Sequence, residues 1–215
     1  MVTKKITLDA PERFAKAHTI PKEKLEAAAK AACAKLKANA EKYGYGVPGT
    51  CSVDYKYVRA ENKNWECGMY TGCFWLAYEL TGDEFFRNVA EEMLATYRWR
   101  IENKVGIDDH DVGFAFMPSC IGAYKVFGSE KAKSAAIVAV EYYYDTSYSE
   151  EGKFIIRSHK SWSKGSGCRT MIDSMMNASL LFWAGEHLKN EDYSNAAKNH
   201  SLTAYHYIRR ILCRT

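Results

Sequence analysis

The strongest constraint on the fold of this chain is a repeated pair of segments, one apolar on nearly all sides and the next apolar on one face only. The segments that are apolar nearly all round are residues 69–80, 113–127 and 171–188. Those with apolar side chains at three- and four-residue spacing on one face are residues 84–103, 130–145 and 192–211. A helix that is apolar all round must be buried, and an amphipathic helix can cover it. The pattern therefore predicts an all-α chain of antiparallel helical hairpins, the unit of an α/α toroid.

Short turns join the two helices of each predicted hairpin, and their spacing is constant. The turns contain Gly82, Gly128 and Asn190. Trp65, Asp111 and Asp173 each lie 17 positions before the turn residue of their own hairpin. Equivalent positions in successive hairpins of a toroid lie at the same rim, where the inner helices begin. We therefore expect one aromatic side chain and two carboxylates to converge on a single cleft.

The residues before the first hairpin are predicted to form one further helix and a connection. Pro21 precedes residues 22–43, in which Leu and Ala recur at helical spacing, and a proline at this place favours a helix start. Residues 44–64 begin with glycines and a proline and are rich in tyrosine, which predicts a long loop that lines a site. Residues 1–20 show no periodicity, so we expect an irregular arm on a single domain spanning residues 1–215.

Composition excludes several classes of function. The net charge of +4 is small and dispersed, so no nucleic-acid partner is expected. No apolar run approaches the ~18 residues that a transmembrane helix needs, and the N-terminus lacks the apolar stretch of a secretion signal. The seven cysteines are odd in number and form no CxxC pair, so we interpret them as free thiols of a cytoplasmic protein.

The residues expected at the cleft suit the chemistry of sugars. Trp65 offers a flat face on which the CH groups of a sugar ring can stack. A carboxylic acid in a partly desolvated pocket, or beside a second carboxylate, has a raised pKa and can donate a proton near neutral pH. His110, next to Asp111, is placed to bind a substrate carboxylate or hydroxyl, or to donate to one of the acids. The sequence thus predicts acid–base chemistry on a carbohydrate at Asp111 and Asp173.

Purely structural roles compete with this interpretation. Asp is a preferred helix cap, so Asp111 and Asp173 could each satisfy backbone N–H groups at a helix start. His110 could be a satisfied interior histidine, and Trp65 could belong to the core. Asp109, His110 and Asp111 together also suggest a metal site, but no HxxxH or HExxH pattern accompanies them. Neither a metal nor an organic cofactor is therefore expected.

Three linked stretches of the chain resemble glycoside hydrolase family 88, the unsaturated glucuronyl hydrolases. They read WECGMYTGCFWLAYELTGD at 65–83, DHDVGF at 109–114 and RTMIDSMMN at 169–177. The resemblance runs from about residue 64 to the C-terminus, with the family's order and spacing. It implies an (α/α)6 barrel of twelve helices. It also implies release of 4,5-unsaturated glucuronic acid from oligosaccharides that polysaccharide lyases leave, such as glycosaminoglycan disaccharides.

The resemblance also implies a mechanism. Asp173, the acid of the motif Ile-Asp-x-x-x-Asn, would protonate C4 of the C4=C5 vinyl ether and activate the water that adds at C5. The resulting hemiketal opens and releases the sugar. Because attack is not at the anomeric carbon, the carboxylate-separation rule for retaining and inverting glycosidases does not apply. Asp111 matches the family's second essential aspartate, which would tune Asp173 and hold the sugar.

Further positions match the family's subsite for the unsaturated uronate. His110 and Trp65 occupy binding positions, and the resemblance assigns Trp162 and Arg169 to the same substrate. The spacing between Trp162 and Asp173 departs from the family's pattern. The expected partner is an unsaturated uronate-containing oligosaccharide, bound by a monomer or a homodimer.

The chain departs from the family in its length. About seven of the twelve helices are predicted, so we expect an incomplete barrel with exposed inner faces, and weak or no activity unless the missing half is supplied. Two alternatives remain open. One is an unsaturated rhamnogalacturonyl hydrolase of family 105, which has the same architecture, and a substrate panel would separate the two. The other is a non-catalytic helical interaction domain, a remnant of such a barrel that acts only in binding, in which Asp173→Asn would change neither ligand binding nor any activity.

Overall fold

The structure, a computed structural model, describes residues 11–12, 19–157 and 169–212. The chain divides between Lys35 and Leu36 into two compact units. Helix α1 (Lys22–Tyr43) continues across this division, and its bounds are those predicted from the sequence. Most of the predicted arm lies outside the described residues, which include only 11, 12, 19 and 20 of residues 1–20. That residues 1–215 form a single domain stays a prediction.

Three antiparallel helical hairpins make up most of the second unit. The inner helices are α2 (Glu66–Thr81), the sequence of α4 (Val112–Phe116), a π-helix (Met117–Ile121) and α5 (Gly122–Phe127), and α7 (Ser174–Leu188). The outer helices are α3 (Glu84–Glu102), α6 (Glu130–Ser147) and α8 (Glu191–Leu212). Helix α4 packs between α2 and α7, so the inner helices lie side by side. The prediction of an incomplete α/α toroid is confirmed, with seven helices in the described residues when α4 to α5 is counted as one.

Each inner helix ends in a residue with left-handed backbone conformation. Gly82 ends α2 with φ +67° and Gly128 ends α5 with φ +77°. In the third hairpin α7 ends at Leu188, as predicted, but the left-handed residue after it is Lys189 with φ +55°, one position before Asn190. Lysine tolerates this conformation less well than glycine does. The missing glycine explains why the sequence pattern misplaced this turn by one residue.

The middle inner helix contains a π-helical turn that the sequence pattern does not predict. Pro118 lies inside this turn and has no backbone N–H to donate, so an ordinary α-helical bond is lost there. The carbonyl of Ser119, in the same turn, accepts a hydrogen bond from the Trp75 indole N–H at 2.9 Å. Gly72 of α2 faces the proline, and a Cβ at Gly72 would lie 2.8 Å from the Pro118 ring. The wide turn is therefore held by close contact with α2.

Two short β-hairpins correct the expectation of a purely helical chain with a loop over 44–64. Strands β1 (Val47–Val53) and β2 (Lys56–Ala60) pair antiparallel, as do β3 (Tyr148–Ser149) and β4 (Phe154–Ile155). The first hairpin turns through Asp54 and Tyr55, whose φ angles are +48° and +60°. Two consecutive positive φ angles are typical of a tight hairpin turn that usually contains glycine. Without a glycine at either position, the sequence gives no turn signal.

The core lies between the inner and outer helices. Its largest fully buried apolar side chains include Trp75, Tyr97, Phe116, Tyr143 and Leu180. Tyr97 and Phe116 meet edge to face with ring centroids 5.6 Å apart, which joins an outer helix to an inner one. Within the described residues, every helix is too short or too polar to cross a membrane.

Candidate functional site

Trp65, Asp111 and Asp173 occupy the same place in three successive hairpins. Each is the residue immediately before an inner helix, α2, α4 and α7 respectively. Neither aspartate side chain makes a capping hydrogen bond to its own helix. Neither carboxylate therefore acts as the helix cap that the competing interpretation required. Both carboxyl groups are left for other partners.

Contact between the first turns of α4 and α7 brings the two aspartates together. The Phe114 backbone N–H donates to Asn177 Oδ1 at 2.7 Å, and Asn177 is fully buried. Gly113 lies against the same residue, and a Cβ at Gly113 would overlap the Asn177 backbone. Glycine is needed here because of this close approach of two backbones. The two helix starts are consequently held at a fixed separation.

His110 lies between the two carboxyl groups. Its Nε2 is 3.0 Å from Asp173 Oδ1 and 3.3 Å from Asp111 Oδ1. On the other side of the ring, Nδ1 is 3.2 Å from the carbonyl oxygen of Arg157. The His110 backbone N–H donates to that same carbonyl at 3.1 Å. The imidazole is therefore anchored at one nitrogen and directed towards both acids with the other.

The hydrogen bonds of His110 determine how many protons the group holds. A backbone carbonyl can only accept, so Nδ1 must carry a hydrogen to bond to Arg157. The bond between Nε2 and Asp173 then requires one further proton, either on Nε2 or on the carboxyl oxygen. A neutral imidazole beside two carboxylates would lack this second proton. The group formed by His110 and the two acids therefore holds one additional proton. A mobile proton held between an acid and a histidine is what general acid catalysis requires.

The two aspartates differ in exposure and in electrostatics. The Asp111 side chain is 17% exposed and the Asp173 side chain 43% exposed. Burial raises the pKa of Asp111 to about 6, and the negative charges of Asp109 and Asp173 add to this effect. His110 and the Asn177 amide act in the opposite direction on the pKa of Asp111. Asp111 is therefore the sheltered partner, and Asp173 is the acid that a solute can reach.

One oxygen of Asp111 has an unusual environment. Asp111 Oδ1 is buried and has no hydrogen-bond partner among the described residues, although His110 Nε2 lies 3.3 Å away. The His110 nitrogen makes its hydrogen bond to Asp173 at the shorter distance, and a single N–H cannot serve both oxygens well. A buried carboxylate oxygen without a hydrogen bond favours protonation, in agreement with the raised pKa of Asp111.

Trp65 and Asp111 line one cavity. Its volume is about 370 Å³, within the range of about 300–1,000 Å³ that is usual for small-molecule sites. The Trp65 ring is 42% exposed and packs on Phe114, with centroids 5.3 Å apart and planes tilted by 47°. The rest of the wall comes from strand β1, from the start of α2 with the residues before it, and from the segment before α4, namely Thr50, Lys63, Asn64, Glu66, Gly106, Asp108 and Asp109. Trp65 thus forms part of a wall, with one face against an inner helix.

The remaining predicted binding residues lie on the chain beyond β4. Arg169 is exposed, and its carbonyl accepts the Arg157 backbone N–H at 2.7 Å. The Arg157 carbonyl also bonds to His110. Arg169 is therefore connected to the acid pair through Arg157 and His110. Trp162 lies outside the described residues. Among the described residues, the structure therefore brings His110, Asp111 and Asp173 together and links the backbone of Arg169 to them. Trp65 shares a cavity with Asp111, and the lining of that cavity includes neither His110 nor Asp173.

The cluster of Asp109, His110 and Asp111 was considered as a metal site. One potential ligand atom from each lies within 4.8 Å of the others. Asp109 Oδ1 already accepts the Asp111 backbone N–H at 2.9 Å, and the His110 Nε2 is directed to Asp173. A metal ligand needs a free lone pair on each donor atom, and these contacts compete for them. The arrangement fits proton transfer better than metal binding.

Two residues of the site received no role from the sequence. Asn177 stands four positions after Asp173, one helical turn along α7, and its full burial on an inner helix is the signal that could have identified it. Arg157 contributes its backbone carbonyl and N–H to these contacts, and a backbone contact leaves no pattern in the sequence. A larger cavity of about 830 Å³ between α3 and α6 contains none of the predicted site residues, so its size carries no functional argument.

Comparison with known proteins gives a consistent result. The sequence profile of Glycosyl Hydrolase Family 88 matches residues 20–210. An unsaturated chondroitin disaccharide hydrolase from Streptococcus agalactiae serotype III is 34% identical over 199 residues, covering 90% of this chain and 48% of that protein. An unsaturated glucuronyl hydrolase from Bacillus sp. GL1 is 31% identical over 172 residues, covering 80% of this chain and 45% of that protein. The chain thus spans about half the length of the curated relatives it matches.

Solved structures show the same similarity. The crystal structure of unsaturated glucuronyl hydrolase from Streptococcus agalactiae superposes with a TM-score of 0.87 at 32% identity, covering 94% of this chain and 50% of that one. A variant of that enzyme, in complex with dGlcA-GalNAc6S, superposes with a TM-score of 0.75 at 29% identity, covering 92% and 46% of the two chains.

Proposed function

We propose that this chain, which belongs to glycosyl hydrolase family 88, removes 4,5-unsaturated glucuronic acid from oligosaccharides produced by polysaccharide lyases. The observation that carries the proposal is the placement of His110 Nε2 within 3.3 Å of both Asp111 and Asp173 at the start of two inner helices. The substrate class is supported by the relative named unsaturated chondroitin disaccharide hydrolase and by the complex of a similar enzyme with dGlcA-GalNAc6S.

The proposed first step is protonation of the sugar by Asp173. The substrate carries a vinyl ether, in which C4=C5 is conjugated with the ring oxygen. The protonated carboxyl of Asp173 gives its proton to C4, and the positive charge that develops at C5 is shared with the ring oxygen. Asp173 suits this role because its side chain is 43% exposed while hydrogen-bonded to His110. A positioned general acid contributes about 10²–10⁴-fold to such a step.

The second step is addition of water. Asp173, now a carboxylate, accepts a proton from a water molecule as its oxygen bonds to C5, which returns the acid to its starting state. The product is a hemiketal. It opens to a ketone at C5, the C1 hemiacetal so formed breaks down, and the sugar alcohol leaves. Every proton taken from Asp173 is thus replaced by one from water, and no cofactor takes part.

Asp111 and His110 support this cycle. Asp111 is sheltered, and burial raises the pKa of Asp111 to about 6, so its charge can change near neutral pH. A neutral Asp111 relieves repulsion when Asp173 becomes a carboxylate. His110 Nε2 bonds to Asp173 and lies 3.3 Å from Asp111. Asp111 is therefore assigned the tuning role, with a further role in holding the sugar.

Binding of the uronate ring is assigned to the residues around the acid pair. Trp65 offers the exposed part of its ring to the apolar face of the sugar. Arg169, which is exposed and linked through Arg157 to His110, is a cation for the uronate carboxylate. Trp162 is assigned to the same subsite on the family resemblance alone.

The test compares the wild-type chain with Asp173→Asn on an unsaturated chondroitin disaccharide. Turnover is followed as loss of the ultraviolet absorbance of the C4=C5 bond, and binding as heat in a calorimetric titration. Because the chain spans about half the length of its relatives, we expect weak turnover from the wild type, and Asp173→Asn should lower it by at least about 100-fold while binding is retained. Asp192→Asn, an exposed aspartate at the start of the outer helix α8, is the matched control and should have no effect.

Three outcomes would contradict the proposal. Equal rates for Asp173→Asn and Asp192→Asn would remove the acid role. Saturable disaccharide binding with no turnover by the wild-type chain would favour the non-catalytic helical remnant. A preference for an unsaturated rhamnogalacturonan disaccharide in the same assay would overturn the proposed substrate class.

The cellular setting is proposed from the cysteines. All five that lie in the described residues, Cys33, Cys51, Cys67, Cys73 and Cys120, are free thiols. Free thiols persist in a reducing compartment, so the protein is assigned to the cytoplasm. It acts there as a monomer or a homodimer, which sedimentation analysis would distinguish.

A further inference from the structure

Arg100 of the outer helix α3 is buried completely and bonds only to a side-chain amide and to backbone carbonyls. Its Nη1 donates to Asn62 Oδ1 at 2.9 Å and to the Asn64 carbonyl at 3.0 Å. Its Nη2 donates to the Lys63 carbonyl at 3.0 Å, and further bonds reach the carbonyls of Gly106 at 2.7 Å and Val105 at 3.2 Å. A guanidinium has five N–H groups, so all of its donors are used.

The acceptors belong to two separate segments, and each segment leads directly to a residue of the candidate site. Residues 62–64 precede Trp65, and residues 105–106 precede the acidic run that ends at Asp111. Lys63, Asn64 and Gly106 of these segments line the 370 Å³ cavity. Arg100 is therefore bonded to both sides of this cavity from behind.

Gly106 marks the point where the two segments touch. Its φ angle is +59°, and a Cβ there would overlap the Lys63 carbonyl oxygen. The left-handed conformation and the lack of space both require glycine at this position. The close approach places the carbonyls of Gly106 and Lys63 near enough for a single Arg100 nitrogen to bond to both.

We propose that Arg100 is a positioning residue that sets the separation of Trp65 and Asp111 by clamping the two segments that carry them. The planar fork of a guanidinium presents donors in several fixed directions, and this is what bonding to two segments at once requires. A lysine keeps the charge but offers three donors from one point. The clamp is inferred from these contacts alone. Only the identity of the ligand that the cavity binds rests on the proposed function.

The charge of Arg100 adds to the argument. Burial lowers the pKa of Arg100, yet a guanidinium stays charged in proteins, and among the described residues it forms no ion pair with a carboxylate. Burying an unpaired cation is costly unless all of its donors are satisfied. An apolar side chain of similar volume would fill the same space without this cost. The presence of a guanidinium at this buried position is thus best explained by its hydrogen bonds to the two segments.

The experiment compares Arg100→Lys with Arg98→Lys, which makes the same change two residues away on the exposed face of α3. Backbone hydrogen exchange is measured by mass spectrometry, and the titration of Asp111 by carboxyl ¹³C NMR. We expect Arg100→Lys to speed exchange about tenfold in peptides covering 61–66 and 104–111, with α7 and α8 unchanged. The pKa of Asp111 should fall towards its ordinary value as water enters the loosened cavity. Arg98→Lys should leave both measurements as in the wild type.

Gly106→Ala provides an independent arm. It leaves Arg100 in place but forces the two segments apart, so it should reproduce the local increase in exchange even if Arg100→Lys does not fold. Uniform acceleration of all peptides, or no change in the two segments, in both variants would overturn the proposal. Neither measurement requires substrate. Failure of the disaccharide assay would therefore count against the proposed function alone, whereas unchanged exchange would count against the clamp even in an active enzyme.

Discussion

Gly113 lies so close to the backbone of Asn177 that no side chain fits between them, and the neighbouring Phe114 N–H bonds to the Asn177 amide at 2.7 Å. The starts of α4 and α7 are thus joined by a backbone contact and a buried hydrogen bond. Because Asp111 and Asp173 are the residues just before these two helices, their separation depends on this contact.

Replacement of Asn177 by alanine should reduce stability. The substitution leaves the Phe114 N–H buried without a partner, which costs about 1–3 kcal/mol in the free energy of unfolding. Urea denaturation of the variant would measure the loss. Ser201→Ala is a suitable control, since its hydroxyl only bonds to the Ala197 carbonyl within the outer helix α8. A loss for Asn177→Ala no larger than that of the control would show that the contact does not hold the helices.

Gly113→Ala should lower activity more than the same substitution at another helical glycine does. The added methyl group must push α4 from α7, which separates Asp111 from Asp173 and lowers turnover of the unsaturated disaccharide at least about tenfold. Gly122→Ala is the matched control on the same inner helix, where the nearest atom is Trp75 Cδ1 at 3.0 Å and belongs to a side chain. Steady-state rates of both variants would decide whether the separation of the acids matters.

The stability of the protein should depend on pH through Asp111. The pKa of Asp111 is raised from 3.8 to about 6, so between these values the folded state binds more protons than the unfolded state. The free energy of unfolding contributed by this group therefore falls as pH rises from about 4 to 6, by up to about 3 kcal/mol. The difference between wild type and Asp111→Asn, measured by urea denaturation at several pH values, isolates this contribution. A difference that does not vary with pH would contradict the raised pKa.

His200 should contribute the opposite dependence. It is fully buried, its Nδ1 accepts the Ile155 backbone N–H at 3.1 Å, and burial followed by the charge of His110 lowers the pKa of His200 from 6.5 to about 4. Between these values the unfolded state binds more protons, so stability is lost as pH falls from 6.5 to 4, by up to about 3 kcal/mol. His200→Gln should remove this loss, whereas His206→Gln, at an exposed position of the same helix, should keep it.

Trp65→Ala should weaken substrate binding with little effect on folding. The Trp65 ring is 42% exposed, so its removal costs little core, but a sugar loses its stacking surface. We expect the Kd for the unsaturated chondroitin disaccharide to rise about tenfold, measured by titration calorimetry. Trp99→Ala, which removes a ring 46% exposed on the outer helix α3, is the control. Equal effects of the two substitutions would remove Trp65 from the binding site.

The helical part of the fold could be predicted because its signals are local. Pro21 and Gly44 bracket α1, and glycines at 82 and 128 mark the ends of two inner helices. The end of α7 at Leu188 was predicted, but its turn residue was placed at Asn190 because Lys189 adopts a glycine-like conformation without being glycine. The first β-hairpin was missed for the same reason at Asp54 and Tyr55. Local rules fail where neighbouring structure forces a residue into a conformation that its type disfavours.

The residues of the site that could be predicted are those that recur at a constant spacing along the chain. Asp111 and Asp173 were identified because they recur at one place in successive hairpins, and the structure brings them to one histidine. Arg100 and His200 carry no such pattern, since each looks like one polar residue on an amphipathic outer helix. Their burial is decided by segments distant in sequence, residues 62–64 for Arg100 and Ile155 for His200. Only the packed structure reveals these partners.

The 2.7 Å hydrogen bond between the Arg157 N–H and the Arg169 carbonyl links Arg169 to the residue that holds His110. The Arg157 carbonyl accepts from the imidazole, and the other imidazole nitrogen bonds to Asp173. A shift of the Arg157 backbone would therefore disturb the acid pair and the proposed cation for the substrate at the same time.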